Sequence, residues 1–481
     1  MNKNLLKALY QSDSFSKMGH KLIDTLAEHL QNSISDKNSK AIRWNDPHNE
    51  LNLWKDFLRN GDKDDFFKKV IERTTHTHNP KYVGHQVAPP APITALTGML
   101  ASLMNNGMAV YEMGMSPTAM ERITTDMLGQ KLGYSTDSRG ILTSGGTLAN
   151  LTSLLAARKA KVEYDVWNAG HSQPLGIMVS EEAHYCVDRA AKIMGLGEQG
   201  IIKIPVTKEF TMDVSLLEAY YQNAKDKGIK VFAIVGSAPS TASGIYDDLE
   251  AISNFAEKYR LWFHVDGAHG GAAIFSEKYK HLLKGIENSD SVVIDGHKML
   301  MMPTITTALI FKEGTHSHTT FSQKADYLLT DTDEEDWYNG GKRTFECTKT
   351  MMSLHWFVLL KMYGEDIFDQ NVTVLYNLAQ EFAKVLTTHE NFELAIHPQS
   401  NILCFRFMVP DLPLDELNRL NQSIRQHLLE DGEFYLVQTK FNGIHYLRTT
   451  LMNPFTTMEH LNLLLKKIQV TAEKLLTSKT S

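Results

Sequence analysis

The chain is poor in cysteine, has no long apolar run and carries no excess of basic residues, and each shortage removes a class of protein. Only three cysteines, Cys186, Cys347 and Cys404, occur in 481 residues, far apart and with no Cys-x-x-Cys pair. That spacing builds neither a disulfide framework nor a cysteine zinc site, and it fits a reducing, cytoplasmic setting. No window is apolar over the length of a bilayer crossing, and the opening Met1-Asn2-Lys3-Asn4 has no secretory apolar core, so no membrane partner is expected. With 49 Lys and Arg against 56 Asp and Glu, the formal net charge is −7, which gives no basic surface for nucleic acid. Repeats and low-complexity tracts are missing too. What remains is an ordinary globular composition, 42% hydrophobic and 22% charged, in a chain long enough for two or three domains.

Phe15, Met18, Leu22, Leu26 and Leu30 recur at steps of three and four, which predicts one amphipathic helix. A second helical stretch is expected over residues 51–73. Together they read as an N-terminal helical arm, residues 1–78, too thin to form a core and therefore in need of the main body or a second subunit. From about Pro80 the pattern changes to short apolar runs separated by helix-length intervals: 176–180, 201–204, 231–235, 262–265, 291–294 and 307–311. Continuous rather than alternating apolar strands predict an α/β fold with a mostly parallel sheet covered on both faces, the large domain over residues 79–365. After about Tyr363 come helical text, a strand pair near 402–408 and 447–451, and a helix over 458–476. These form a small C-terminal α/β domain, residues 366–481.

Parallel sheets place ligands at the carboxyl ends of their strands, so the residues just after these runs matter most. Asp295-Gly296-His297-Lys298 follows one run, and a strand-end lysine beside other cationic groups suits imine formation with an aldehyde. Phe263-His264-Val265-Asp266-Gly267-Ala268-His269 puts a carboxylate at another strand end, 32 residues before Lys298, the length of one strand-helix-strand passage. Ser144-Gly145-Gly146-Thr147-Leu148-Ala149-Asn150 opens a helix with small and hydroxyl residues, which suits a phosphate as well as a plain helix cap. Ala183-His184-Tyr185 sets an imidazole after the 176–180 run, where it could stack on a ring or handle protons. Two histidine pairs, Thr75-His76-Thr77-His78 and His316-Ser317-His318, lack further ligands at a useful spacing. They read as solvated loop histidines, and no metal is expected.

These motifs, together with Asn79-Pro80-Lys81-Tyr82-Val83-Gly84-His85, Ser240-Thr241, Gly341-Lys342-Arg343, Leu447-Arg448 and Asn453-Pro454, resemble the group II amino acid decarboxylases that depend on pyridoxal 5′-phosphate (PLP). That family includes glutamate, aromatic amino acid, cysteine sulfinate and 2,4-diaminobutyrate decarboxylases, and the resemblance spans nearly everything after residue 75. It implies PLP as cofactor, the PLP-dependent transferase fold type I, and release of carbon dioxide and an amine from an L-amino acid. It further implies that Lys298 holds the cofactor covalently and that Asp266 pairs with its ring nitrogen. His184 would cover one ring face and Ala268 the other, with Thr241 close to the ring. Gly146, Thr147 and His297 would hold the phosphate. Arg448 matches the position that receives the substrate carboxylate, and His85 falls where family members line the substrate pocket.

Tyr327 follows Lys298 by 29 residues, at the place where family decarboxylases carry the tyrosine that returns a proton to the substrate carbon. It favours simple decarboxylation over the alternatives on the same fold, aldehyde synthesis, transamination and carbon–carbon lyase chemistry. A non-catalytic scaffold is disfavoured by the intact Lys298, Asp266, His184 and Tyr327. The resemblance also implies a homodimer with the active site at the subunit interface. Departures from the family pattern are Asp295-Gly296 for the usual Asn-Pro, His269 for an aromatic residue, and Pro239-Ser240 before Thr241. The polar residues His85, Gln86, Asn105 and Asn106 point to a small polar or acidic substrate (glutamate, aspartate or cysteine sulfinate) or to 2,4-diaminobutyrate.

Overall fold

An extended segment covered on both faces is mostly apolar, and seven strands, most of them of this kind, build the central sheet of the computed structural model, which describes residues 3–37, 40–321 and 336–477. They are β1 (Arg139–Thr143), β2 (Leu175–Ser180), β3 (Ile201–Ile204), β4 (Lys230–Ser237), β5 (Trp262–Asp266), β6 (Ser291–Asp295) and β7 (Thr307–Phe311). Every residue of β2, β5, β6 and β7 is buried, whereas the edge strand β3 is buried only at its two ends. The order is β1-β7-β6-β5-β4-β2-β3. Pairing is parallel from β3 through β6, and β7 runs antiparallel to both of its neighbours, β6 and β1. Two reversals cancel, so β1 points the same way as β6, and the carboxyl ends of β1 to β6 share one edge. The strand β1 was not expected from sequence, because Arg139-Gly140 breaks its apolar run. Gly140 is nevertheless required, since a Cβ there would lie 2.5 Å from Ile310 and 2.6 Å from Thr125.

Helix Gly146–Lys161 follows β1 and packs its Ala149, Leu154, Ala156 and Ala157 into the core with Ile177, Val179, Ala233 and Leu309 of the sheet. A second sheet holds β8 (Phe392–Leu394), β9 (Ile402–Phe407), β10 (Val437–Phe441) and β11 (Ile444–Thr450) in the order β10-β11-β9-β8. The expected strand pair is therefore the middle of four strands. Helix Met458–Thr477 closes the chain as expected.

The described chain forms two compact units. One comprises residues 86–383 and 396–403 and contains the seven-stranded sheet; the other comprises residues 1–85, 384–395 and 404–481. Within the second unit, the N-terminal residues are stitched to C-terminal ones by their backbone: Ala41 N–H donates to Glu433 O (3.3 Å), Val83 N–H to Tyr435 O (2.9 Å) and Tyr435 N–H to Lys81 O (3.1 Å). The Lys81 ammonium adds contacts to Glu433 (3.1 Å) and Asp36 (3.0 Å).

Three readings need correction. The single helical stretch over 51–73 is two α-helices, Pro47–Asn60 and Phe66–Arg73, separated at Gly61 and Asp62; the first is capped by Asp46, whose carboxylate accepts from His48 N–H at 2.9 Å. His76 is buried rather than solvated, with its Nε2 3.0 Å from Ile71 O and its ring edge-on to His29. His316 likewise lies in helix Gly314–Thr319 with its ring 4.9 Å from that of Trp262. Among the described residues no helix is long and apolar enough to cross a membrane.

Candidate active site

The carboxyl ends of β1, β2, β4, β5 and β6 surround a cavity of about 320 Å³, all of it within the unit that holds the seven-stranded sheet. Each strand contributes the residues that follow it, as the fold rule requires.

After β1 the chain turns at Gly145, whose φ of +101° is open to glycine and strained for other residues. Gly146 then starts the helix, and a Cβ there would meet Ala268 and Asp295 at 3.3 Å. As the first residues of that helix, Gly146 and Thr147 have no intrahelical acceptor for their N–H groups, so the turn offers donors and the positive end of the helix dipole to an anion. Glu346 braces this turn from outside: it accepts from Ser144 N–H (3.1 Å) and from the hydroxyls of Thr143 (3.0 Å) and Ser144.

At the end of β6, Asp295 is 2% exposed on its side chain, with Oδ2 3.1 Å from Lys298 Nζ and 3.5 Å from His297 Nε2. Thr307 donates its hydroxyl to Asp295 Oδ1 at 2.6 Å, which fixes the carboxylate between the lysine and the glycine turn. At the end of β5, Asp266 is 9% exposed and accepts from Ala268 N–H at 3.2 Å. Among the described residues no lysine, arginine or histidine lies within ion-pair distance of it. The Cys186 thiol donates toward its Oδ2 at 3.8 Å, and burial followed by the Asp266 charge pushes that thiol well above its ordinary range. His269, next along the chain, turns to Asn401 Oδ1 at 2.7 Å.

His184, beyond the end of β2, accepts Cys186 N–H on Nδ1 at 3.3 Å, which leaves Nε2 as the protonated nitrogen of a neutral ring. Burial holds its pKa below the ordinary imidazole value; Asp266 opposes that shift and Lys298 reinforces it. Thr241 follows β4 and also faces the cavity, behind Ser240, whose hydroxyl donates to Glu182 O at 3.0 Å.

Eight of the expected site residues, Gly146, Thr147, His184, Thr241, Asp266, Ala268, His297 and Lys298, thus line one cavity. His85 and Arg448 belong to the other unit. There Arg448 is a buried residue of β11, and the pKa of His85 is lowered by burial first and then by the charges of Arg448 and Arg425. Tyr327 lies outside the described residues. Sequence reasoning missed Asn150, Cys186, Asp295 and Glu346 as members or supports of the site. Asn150 and Asp295 stood inside the quoted motifs without a role of their own, and Cys186 stands two residues beyond His184. Nothing in the sequence near Glu346 announces a contact with residues 143 and 144, some 200 positions earlier.

A larger groove of about 710 Å³ lies at the opposite sheet edge, before β4 and β5, lined by Lys161, Lys225, Lys230 and Arg260 among others. It gathers cations, with Glu163 3.2 Å from Lys230, and its lining includes no histidine.

Residues 61–408 match the family model of the pyridoxal-dependent decarboxylase conserved domain. The chain is 28% identical to an L-2,4-diaminobutyrate decarboxylase of Acinetobacter baumannii, over 84% of this chain and 82% of that protein. It is 26% identical to an aromatic-L-amino-acid decarboxylase of Bacillus atrophaeus, over 96% of each. The crystal structure of the glutamate decarboxylase domain of diaminobutyrate-pyruvate transaminase and L-2,4-diaminobutyrate decarboxylase from Vibrio parahaemolyticus superposes with a TM-score of 0.81 at 25% identity, covering 94% of this chain and 95% of that one. The chain belongs to the pyridoxal-dependent decarboxylase family and is an amino acid decarboxylase that works with pyridoxal 5′-phosphate.

Proposed function

We propose that the cavity at the carboxyl edge of the seven-stranded sheet is the PLP site and that Lys298 is the residue bonded to the cofactor. The observation that carries this is the placing of a lysine, a buried carboxylate with no cation at ion-pair distance among the described residues, and a helix start at glycine around one small cavity. The residues fit such a group. The Gly145-Gly146 turn is a cradle that a Cβ would fill, suited to a phosphate together with Thr147 and His297. Asp266 keeps a proton on a ring nitrogen, as a buried anion in need of a positive partner does. When bound, PLP supplies an electron sink for the pair left behind as the substrate loses its carboxylate.

The remaining roles belong to side chains. His184 and Ala268 line the cavity with Thr241 and would hold the ring between them. Because burial keeps the His184 pKa low, the ring stays neutral near pH 7 and can pass a proton on. Tyr327 is the proposed donor of the proton that replaces carbon dioxide. Arg448 is the proposed receptor of the substrate carboxylate, a planar two-donor group for a planar two-acceptor one, and His85 is proposed to face the substrate.

We infer a short polar or acidic substrate, with L-2,4-diaminobutyrate and L-aspartate the first to test. Two relatives whose names include 2,4-diaminobutyrate support this reading. A homodimer with its active site at the subunit interface accords with the exposed Leu96, Met99, Leu100 and Leu103 of helix Pro92–Met104. It also accords with Phe15, Met18 and Leu26, which stay exposed on helix Ser12–Ile34. Three free cysteines suit a reducing cytoplasmic setting.

The test is a screen of the holoenzyme for carbon dioxide release. L-2,4-diaminobutyrate, L-aspartate, L-glutamate and cysteine sulfinate are compared with tryptophan, tyrosine and phenylalanine. A short polar substrate should lead by at least about tenfold in kcat/KM, equal to ~1.4 kcal/mol of transition-state discrimination. Preference for an aromatic substrate would overturn the substrate class, and aldehyde with ammonia as products would overturn simple decarboxylation.

A further inference from the structure

Directly beneath the cavity lies a fully buried polar chain that the proposed chemistry does not use. His264 and Asp266 are two residues apart on β5, so their side chains leave the same face of the sheet. His264 is 0% and Asn150 1% exposed, where no solvent can replace a lost partner. Asn150 Nδ2 donates to Gly146 O at 2.8 Å, which fixes the amide orientation and leaves Oδ1 as the acceptor facing His264 Nε2, also at 2.8 Å. His264 therefore carries its proton on Nε2. Its Nδ1 faces the hydroxyls of Ser153 and Ser291, each at 2.9 Å, and Trp262 Nε1–H donates to the same Ser291 oxygen at 2.9 Å. The ring is neutral, because burial holds its pKa down to about 4.

This chain ends on Gly146, a residue of the anion turn with no side chain by which to be held. Gly146 is gripped instead through its carbonyl, in addition to the ordinary helix hydrogen bond that carbonyl makes. We propose that His264 and Asn150 are a positioning pair that sets the spacing between Asp266 and the Gly146–Thr147 turn, and so the fit of the phosphate end of the cofactor. The inference rests on the assignment of those two features to the ring nitrogen and the phosphate. It makes His264 a residue that acts through Asn150 without touching the cofactor.

The experiment measures binding of PLP and of pyridoxal, which lacks the phosphate, to the full-length apoprotein by absorbance titration. Variants are His264→Phe, His264→Gln, Asn150→Ala and the Phe/Ala double change, each with its thermal midpoint recorded. Loss of a buried hydrogen-bond partner predicts PLP affinity at least about tenfold weaker in His264→Phe and Asn150→Ala, with pyridoxal affinity changed by less than about twofold. The double variant should be no worse than the weaker single one, because both break the same link. His264→Gln, which keeps an N–H donor for Asn150, should recover most of the loss. Should the Phe variant not fold, the Asn150→Ala and Gln variants carry the same comparison. Equal weakening of PLP and pyridoxal, unchanged PLP affinity, or multiplying effects in the double variant would each overturn the positioning role. A wild-type protein that does not prefer PLP to pyridoxal would instead overturn the phosphate assignment beneath it.

Discussion

The two edges of the seven-stranded sheet make a useful contrast, because they share strands and differ in everything that decides chemistry. The edge before β4 and β5 has the larger opening, about 710 Å³, with Lys161, Lys225, Lys230 and Arg260 around it. The edge after β1 to β6 encloses about 320 Å³, yet it gathers Lys298, Asp266, Asp295, His184 and an open helix start. Size does not mark the site. What marks it is convergence, since five strands pointing one way deliver their following residues to the same place, and burial then makes each charge answerable to its neighbours.

One way to break the contrast is through stability in acid. Burial holds the imidazole of His264 at about 4, against an ordinary value of 6.5. In the unfolded chain that ring takes a proton as pH falls through 6.5, whereas in the folded protein it stays neutral down to about 4. The unfolded state thus binds the extra proton in this window. The group's full contribution is present above pH 6.5 and is lost on acidification, by roughly 3 kcal/mol at pH 4. In urea unfolding from pH 6.5 to 4, His264→Gln should lose less stability than the wild type by about that amount. Parallel pH curves for the two proteins would show that the buried ring is not so held.

A smaller expected effect sharpens the comparison from the other edge. Replacing Lys225 and Lys230 together by alanine should leave kcat/KM and PLP affinity within about twofold of wild type, as surface changes far from a site do. A tenfold loss in either quantity would assign catalytic weight to the groove.

The C-terminal edge was legible in sequence because its signals are local. Each apolar run is followed at once by its functional residue, so Lys298 after β6 and Asp266 at the end of β5 could be read in place. Gly146 and Thr147 carried a helix-start signature of their own. Other features depend on contacts that no short window holds. Glu346 reaches back to Thr143 and Ser144, and Asn150 meets His264 across 114 positions. β1 was hidden by Arg139-Gly140, whose glycine serves packing against Ile310 and Thr125 rather than a turn. Burial of His76 and half-burial of His316 likewise follow from neighbours distant in sequence, His29 for one and Trp262 for the other.

The most direct measurement is the site of covalent attachment. Holoenzyme reduced with borohydride, digested and mapped by mass spectrometry should carry the pyridoxyl label on the peptide that contains Lys298. Carbon dioxide release should disappear in step with labelling. Label on a different lysine, or full activity in a Lys298→Ala variant, would contradict the assignment of the cavity and of the residue at its centre.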